Sequence, residues 1–395
     1  MKVLIVAQSH SIHIGRWINQ FSDPKWNIYL FPIFDLGSSS YLLEKGVVFH
    51  TFFSYSQNRN QAKKYGIPLP FQPISYILRK TLGKLFPNYQ RLYLSFLIWF
   101  IRPDVVHSVS LQSTYLVSDI KNGWKGFFPQ WVITNWGHDL FLMGTLPLHK
   151  HLIKRALKQC DIYTYECKRD LRLTPRFGLK KKTPTFLLPS MGGYDLTHIS
   201  SIRSKIKTSR RKIVLLKGYQ HWAGRCLVGL EALKHCVLYL RGYTIVVYSV
   251  SDPAVELAVQ LFSVQTGIKS RIIPYNTLHE KILTLHSKAR ISIGLSISDG
   301  ISASFLEAIA CGSFPIQSDT SCANEWIENG KTGILVPPED PYIIARAIKK
   351  GLTDDKLVDN AAVYNWKTVK NNADEKDIKI KAEQMYITSL EKYNV

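Results

Sequence analysis

The sequence predicts an α/β protein built from two doubly wound, parallel-sheet domains, and three observations carry that reading. The chain has 395 residues, enough for two domains of ordinary size. Its amino terminus opens on an apolar run at residues 3–7 that reads as the first strand of a parallel sheet. In the second half, strands at 244–249, 271–273 and 291–295 alternate with helical stretches at 252–266 and 277–287, the β-α-β-α rhythm of an open sheet. A chain that is 46% hydrophobic and 20% charged can bury two cores, which excludes a disordered protein.

In the first domain, expected over residues 1–200, strand 3–7 runs into Gln8-Ser9-His10-Ser11 and a helix to residue 21. No G-x-G-x-x-G follows, which argues against a dinucleotide site. The loop stands at the carboxyl end of a strand, where open α/β sheets bind ligands, and it brings His13 and Arg16-Trp17 there. Strands follow at 27–34 and 47–53. Residues 54–102 then interleave bases and aromatics, as in Lys63-Lys64-Tyr65, Arg79-Lys80, Lys84-Leu85-Phe86 and Phe96-Leu97-Ile98-Trp99-Phe100. That mixture on amphipathic helices reads as an element lying on an anionic membrane surface, near 60–102. Pro103 ends the helix and Val105-Val106-His107 starts a strand. Strand 130–134 leads to Asn135-Trp136-Gly137-His138-Asp139, where Asp139 also suits the N-cap of a helix. Strands at 161–165 and 185–188 complete the set. Residues 201–211, rich in Ser, Lys and Arg, read as a linker.

The second domain is expected over 212–364, with a helical tail over 365–395. Strand 212–217 ends in Lys217-Gly218, and Arg225 stands just before a helix at 226–235. A guanidinium at a helix N-terminus opposes the helix dipole, so Arg225 points to a ligand. The densest signal is Asp299-Gly300-Ile301-Ser302-Ala303-Ser304, which joins strand 291–295 to an apolar helix closed by Cys311-Gly312. Strand, small-residue turn and helix aim backbone N–H groups and a positive dipole end at one point, a seat for phosphate. Asp299 before the turn and Glu307 on the helix flank it. A ligand anionic in its middle and hydroxylated at both ends, such as a nucleotide-sugar, fits.

Asp299 and Glu307-Ala308-Ile309-Ala310-Cys311-Gly312 resemble the signature of family 4 retaining glycosyltransferases, an acid, seven residues, Glu, then Ala-x-Ala-x-Gly. Pro103-Asp104-Val105-Val106-His107, Asn135-Trp136-Gly137-His138-Asp139, Pro189-Ser190-Met191-Gly192-Gly193-Tyr194-Asp195 and Gly330-Lys331-Thr332-Gly333 also resemble family motifs, with Trp136 where the family often has His. The resemblance implies the GT-B fold, two facing Rossmann-like domains with a central cleft and a C-terminal helix crossing back to the first. It implies a UDP- or GDP-linked sugar as donor, transfer with retention, and no metal. It gives Asp299 the transferred sugar, Glu307 the ribose, and Lys217 and Arg225 the diphosphate. Gly218 and Gly300 to Ser304 then line the donor site. His138 becomes a substitute catalytic candidate, and His13, Arg16, Asn135 and Asp139 become acceptor contacts.

Fifty-one bases against 29 acids give a net charge of +22, which calls for anionic partners. No nucleic-acid recognition module is present, so nucleic acid is not expected. The expected acceptor is a glycan or a lipid-diphosphate-linked chain made for a cell-surface polysaccharide or lipopolysaccharide. The expected place is the cytoplasm, at the inner face of the membrane. The six cysteines show no metal-type spacing and read as reduced core thiols. Two other readings share the fold: a GT-B nucleotide-sugar epimerase, and a non-catalytic nucleotide-sugar-binding protein, to which the shorter Asp299 and Trp136 point.

Overall fold

The computed structural model describes residues 1–21, 23–33, 47–55, 63–69 and 72–391. The chain divides into two compact units: unit 1 is Met1–Gly193 with Lys376–Val395, and unit 2 is Tyr194–Glu375.

Unit 1 holds strands β1 (Lys2–Ala7), β2 (Asn27–Pro32), β3 (Val48–Tyr55), β4 (Lys63–Leu69), β5 (Val105–Val109), β6 (Gln130–Thr134), β7 (Ile162–Tyr165) and β8 (Thr185–Leu187). They form one sheet in the order β4-β3-β2-β1-β5-β6-β7-β8, parallel at every pairing. Side chains alternate between the faces of a strand, so Val3, Ile5 and Ala7 of β1 join one core with Trp17, Phe21 and Trp26. Leu4 and Val6 join the other, with Leu94, Leu97 and Trp131. A strand buried on both faces needs apolar residues throughout, which is why β1 reads as an unbroken run.

The helix Glu375–Glu391 completes the first of these cores with Ile378, Ala382, Met385 and Tyr386, a spacing that lines one helical face. Tyr386 is fully buried against the rings of Phe21 and Trp26. Trp17 Nε1 can only donate, and it reaches the Tyr386 hydroxyl at 3.3 Å; that hydroxyl lies 2.7 Å from His107 Nδ1. The chain of donors then runs from His107 Nε2 to Thr134 Oγ1 at 2.6 Å. Burial lowers the His107 pKa to about 3, so the ring stays neutral inside this network.

The expected surface region departs from an all-helical reading. Lys63-Lys64-Tyr65 lie on edge strand β4, paired with Val48, Phe49 and His50 of β3. Lysines and a proline are what an exposed sheet edge tolerates, and Pro68 sits in the same strand. Helices follow at Gln72–Leu85 and Tyr89–Ile101. Phe34 of the expected strand 27–34, and residues 56–62 and 70–71 of the stretch 54–102, lie outside the described residues.

Unit 2 holds β9 (Ile213–Lys217), β10 (Thr244–Val250), β11 (Ser270–Pro274), β12 (Ala289–Gly294), β13 (Phe314–Ser318) and β14 (Ile334–Val336), again all parallel, in the order β11-β10-β9-β12-β13-β14. Val214 and Leu216 pack into one core and Leu215 into the other. Residues 201–211, expected as a linker, are built into this unit. Thr208 Oγ1 donates to Gly312 O at 2.7 Å, Ser209 bonds Asp359, and the Arg211 guanidinium reaches the carbonyls of Ala289 and Gly312. The helix Asp355–Asn372 also belongs to unit 2, so the returning segment starts near residue 375 rather than 365.

Tyr386→Phe should lower the stability of unit 1 by about 1–3 kcal/mol, because it leaves the Trp17 N–H and His107 Nδ1 buried without their shared partner. Urea unfolding of the full chain checks this; an unchanged transition would show the hydroxyl to be dispensable.

Candidate functional site

In unit 2 the strand order reverses between β9 and β12, so the crossovers from these neighbouring strands run in opposite directions. Residues 219–225 follow β9 and 295–302 follow β12. The two loops are joined by backbone bonds, Arg225 N to Leu295 O at 3.1 Å and Ile297 N to Ala223 O at 3.0 Å. This zipper brings Arg225 beside the loop that carries Asp299.

Lys217 ends β9 with its Nζ 3.4 Å from Ser302 Oγ and 4.2 Å over the ring of Tyr219. Gly218 follows because nothing larger fits: a Cβ there would stand 2.6 Å from the Val250 side chain and 2.8 Å from Tyr248 O. The Gly218 N–H donates to that same carbonyl at 2.7 Å, which carries the β9–β10 ladder one bond past Lys217.

Ser302 is the N-cap of the helix Ala303–Ala310, but its hydroxyl accepts nothing from the helix. It lies instead 3.0 Å from Ser304 Oγ and near Lys217. The positive end of the helix, two hydroxyls and an ammonium therefore converge, the arrangement expected of a phosphate seat. Asp299 Oδ1 accepts the Gly300 N–H at 2.9 Å, and Gly300 O accepts the Cys322 N–H at 3.0 Å, which fixes the turn. Ile301 is buried beneath it.

Glu307 is 6% exposed, one turn into the helix, with Oε1 2.7 Å from His279 Nε2. Behind it, Tyr248 and His286 meet edge to face at 5.3 Å. His286 is fully buried, and its Nδ1 lies 3.0 Å from Ser292 Oγ. Arg225 is more restrained than the sequence suggests. Its guanidinium donates to Gly224 O at 3.0 Å and Trp222 O at 3.3 Å, and pairs with the exposed Glu339 at 3.0 Å. His221 lies in the field of this group: burial lowers its pKa, Lys217 and Arg225 lower it further, and Asp299 opposes them.

Unit 1 treats its expected residues differently. Its sheet reverses between β1 and β5, and the loop after β1 leads into the helix Ile12–Asn19. His13 lies in the first turn, under N-cap Ser11, and Arg16 donates to Gly193 O at 2.5 Å. Asn135 and Asp139 face inward. Asn135 Nδ2 donates to Asp170 at 3.1 Å and its Oδ1 accepts the Tyr163 hydroxyl. Asp139 is fully buried and accepts the Trp136 N–H at 2.7 Å. Burial, and then the neighbouring Asp170, hold its carboxyl well above the usual carboxylate range, against the pull of that hydrogen bond. Both residues therefore brace the 135–139 loop, and His138, 3.4 Å from Asp139 Oδ1, is its more exposed member.

The sequence reading missed His279, His221 and Ser110. His279 and Glu307 are 28 residues apart on different helices, a spacing without a motif. Ser110, at the end of β5 beside the switch point, has φ of +80° without being glycine, a conformation that costs energy and concentrates at functional turns. Among the cysteines, Cys160, Cys226, Cys236 and Cys311 are buried free thiols.

Two family profiles match the chain. "Glycosyl transferases group 1" covers residues 257–367 and "Glycosyl transferase 4-like" covers residues 2–165. No curated protein sequence matches. Among solved structures, the chain is similar to sucrose-phosphate synthase from Thermosynechococcus elongatus, with 16% identity over 98% of this chain and 99% of that one and a TM-score of 0.68. Anabaena HepE in complex with UDP-glucose gives 13% identity, 98% and 99% coverage and a TM-score of 0.65. A glycosyltransferase from Rickettsia africae gives 14% identity, 98% coverage of each chain and a TM-score of 0.61. At these identities the structures share the fold.

The histidine behind Glu307 makes an acid-sensitivity prediction. Burial holds the His286 pKa down to about 4 from 6.5, with Lys217 and His279 adding to it and Glu307 opposing. The unfolded chain therefore binds a proton below pH 6.5 that the fold refuses until about pH 4. Stability is fully present above 6.5 and is lost as the pH falls through that window, by up to about 1.4 kcal/mol per pH unit. His286→Gln should flatten this acid limb in urea unfolding series; an equally steep limb in the variant would remove His286 as its cause.

Proposed function

The chain belongs to the glycosyltransferases of the GT-B fold, group 1 and family-4-like, and from that premise we propose that it transfers a hexosyl unit from a UDP-linked sugar with retention of anomeric configuration. The observation that carries this reading is the convergence of Lys217, Ser302, Ser304 and the start of the helix Ala303–Ala310, with Glu307 one turn further on. UDP is favoured as the nucleotide because HepE, of the same fold, has been solved with UDP, with UDP and glucose, and with UDP-glucose.

In this reading the helix terminus and Lys217 receive the diphosphate, and Arg225 joins them by releasing the exposed Glu339. Fixed cations stabilise the departing diphosphate most in the transition state, where its charge is greatest. Glu307, steadied by His279, accepts hydrogen bonds from the ribose hydroxyls, and Asp299 holds the transferred sugar. The sugar C1–O bond breaks with its electron pair passing to the leaving phosphate oxygen. The acceptor oxygen bonds C1 on the same face, and its proton goes to that phosphate oxygen. A double displacement would need a second carboxylate placed as in retaining hydrolases, and the same-face route proposed here asks for none. From unit 1, His13, Arg16 and His138 are offered to the acceptor, while Asn135 and Asp139 support the loop that carries His138. The net charge of +22 supports an acceptor carried on a lipid diphosphate and a place on the inner face of the cytoplasmic membrane, in cell-surface polysaccharide or lipopolysaccharide synthesis.

Calorimetric titration of UDP, GDP and ADP tests the donor site. Wild type should bind UDP, and Glu307→Ala should bind it roughly 10- to 100-fold more weakly, as expected for losing hydrogen bonds to a charged group. Asp299→Asn should keep UDP affinity while turnover of UDP-sugar falls about 100-fold. Undiminished UDP binding by Glu307→Ala would overturn the assignment, and release of a changed sugar without any acceptor would favour an epimerase.

A further inference from the structure

Residues 45–103 contain no Asp or Glu, while Arg79, Lys80, Lys84, Arg91 and Arg102 fall within 72–103 alone. The two helices of this stretch and the turn between them expose large apolar side chains that a water-facing surface would lack. Ile77, Leu85, Phe86, Leu92, Trp99 and Phe100 are each more than 60% exposed. Phe96 stacks on Phe100 and leans on Trp99, so these rings form one patch rather than scattered residues.

The patch continues into a groove of about 710 Å³ lined by Ile98, Trp99, Trp124 and Phe127, with Arg102 and Lys125 among its walls. Phe127 is 70% exposed. The acid in the groove, Asp104, is engaged by the Lys2 backbone N–H at 2.8 Å, and the Lys2 ammonium donates to Ile101 O at 3.1 Å. Pro103 and Asp104 precede β5 and Pro129 precedes β6, so the groove lies at the amino-terminal edge of the sheet. The loops that carry His13 and His138 leave the opposite edge, about 17 Å away for a five-residue strand. An occupant of the groove would thus leave the acceptor loops open.

Arg102 is unusual in its backbone. It closes the helix Tyr89–Ile101 in the left-handed conformation at φ of +50°, a position that favours glycine. A strained arginine where glycine is the natural residue keeps a cation at the groove.

We propose that this groove and the adjoining faces of the helices Gln72–Leu85 and Tyr89–Ile101 bind the surface of an anionic phospholipid bilayer, with an acyl chain in the apolar channel and the headgroup phosphate between Arg102 and Lys125. Tryptophans among bases, with Asp104 held by the Lys2 N–H, suit the interface of such a bilayer. Among the described residues no helix is long and apolar enough to cross a membrane, so this contact is peripheral. The proposal gives the membrane reading above a surface and a ligand, and it stands apart from the donor site.

Flotation of the full chain, without nucleotide, on vesicles of phosphatidylcholine alone or mixed with phosphatidylglycerol tests it. Wild type should float with the mixed vesicles and stay down with the neutral ones. Arg102→Gly relieves the backbone strain and so should fold, yet bind about fivefold more weakly, as should Lys125→Ala, the loss expected for one base at an anionic surface. Trp99→Ser with Phe127→Ser, both at exposed positions, should abolish the binding that survives high salt. Circular dichroism melting confirms that each variant is folded. Equal flotation on neutral vesicles, wild-type flotation by these variants, or tighter binding to a DNA duplex than to the mixed vesicles would overturn the proposal. Loss of UDP binding would strike the donor site alone, because no arm of the flotation experiment uses it.

Discussion

The constraint on which this protein depends is that a parallel sheet covered on both faces has nowhere to place polar chemistry except at its strand ends. In β9 every central side chain is buried, Val214 and Leu216 on one side and Leu215 on the other, and the first group free to face a ligand is Lys217 at the last position. Crossovers that leave β9 and β12 in opposite directions then open the gap into which Lys217, the loop 219–225 and the loop 295–302 can project. The same rule in unit 1 places the loops after β1, β5 and β6 at one edge. Gly218 follows from this constraint, because the chain must pass under Tyr248 O and against Val250.

The cations at the β9–β12 strand ends are held without being neutralised by buried carboxylates. Lys217 rests on a hydroxyl and an aromatic face rather than a carboxylate, and the partner of Arg225 is a glutamate with a largely exposed side chain, a pair that contributes little. These cations are positioned but weakly neutralised, so most of their field remains available to an anion. Glu307 is treated in the reverse manner: it is buried and paired at close range with His279, which fixes the direction of its carboxylate.

Much of this was legible in the chain because burial on both faces writes strands as unbroken apolar runs. The strand after Arg102-Pro103, the turn before Ala303 and the Gly312 stop all follow from local chemistry. What was not legible depends on partners far apart in sequence. Asp139 looks like an acceptor contact or a cap; only the fold shows it buried beside Asp170 and binding Trp136 N–H. Lys63-Lys64-Tyr65 reads as part of a basic helix until β3 offers it an edge to pair with. The bond between His279 and Glu307 joins two helices that no periodicity connects.

The helix Glu375–Glu391 carries a consequence for how the protein is made. Unit 2 is inserted within unit 1, and Tyr386, the residue that closes the Trp17–His107 network, leaves the ribosome only after the whole of unit 2. A nascent chain can finish unit 2 while unit 1, begun first, still exposes the apolar side of β1 and the rings of Phe21 and Trp26. The first-made half is therefore the last to close, and for that interval it is the half with sticky surface to shield. Ribosome stalling or a nick near residue 375 would leave unit 2 intact and unit 1 unable to complete its core.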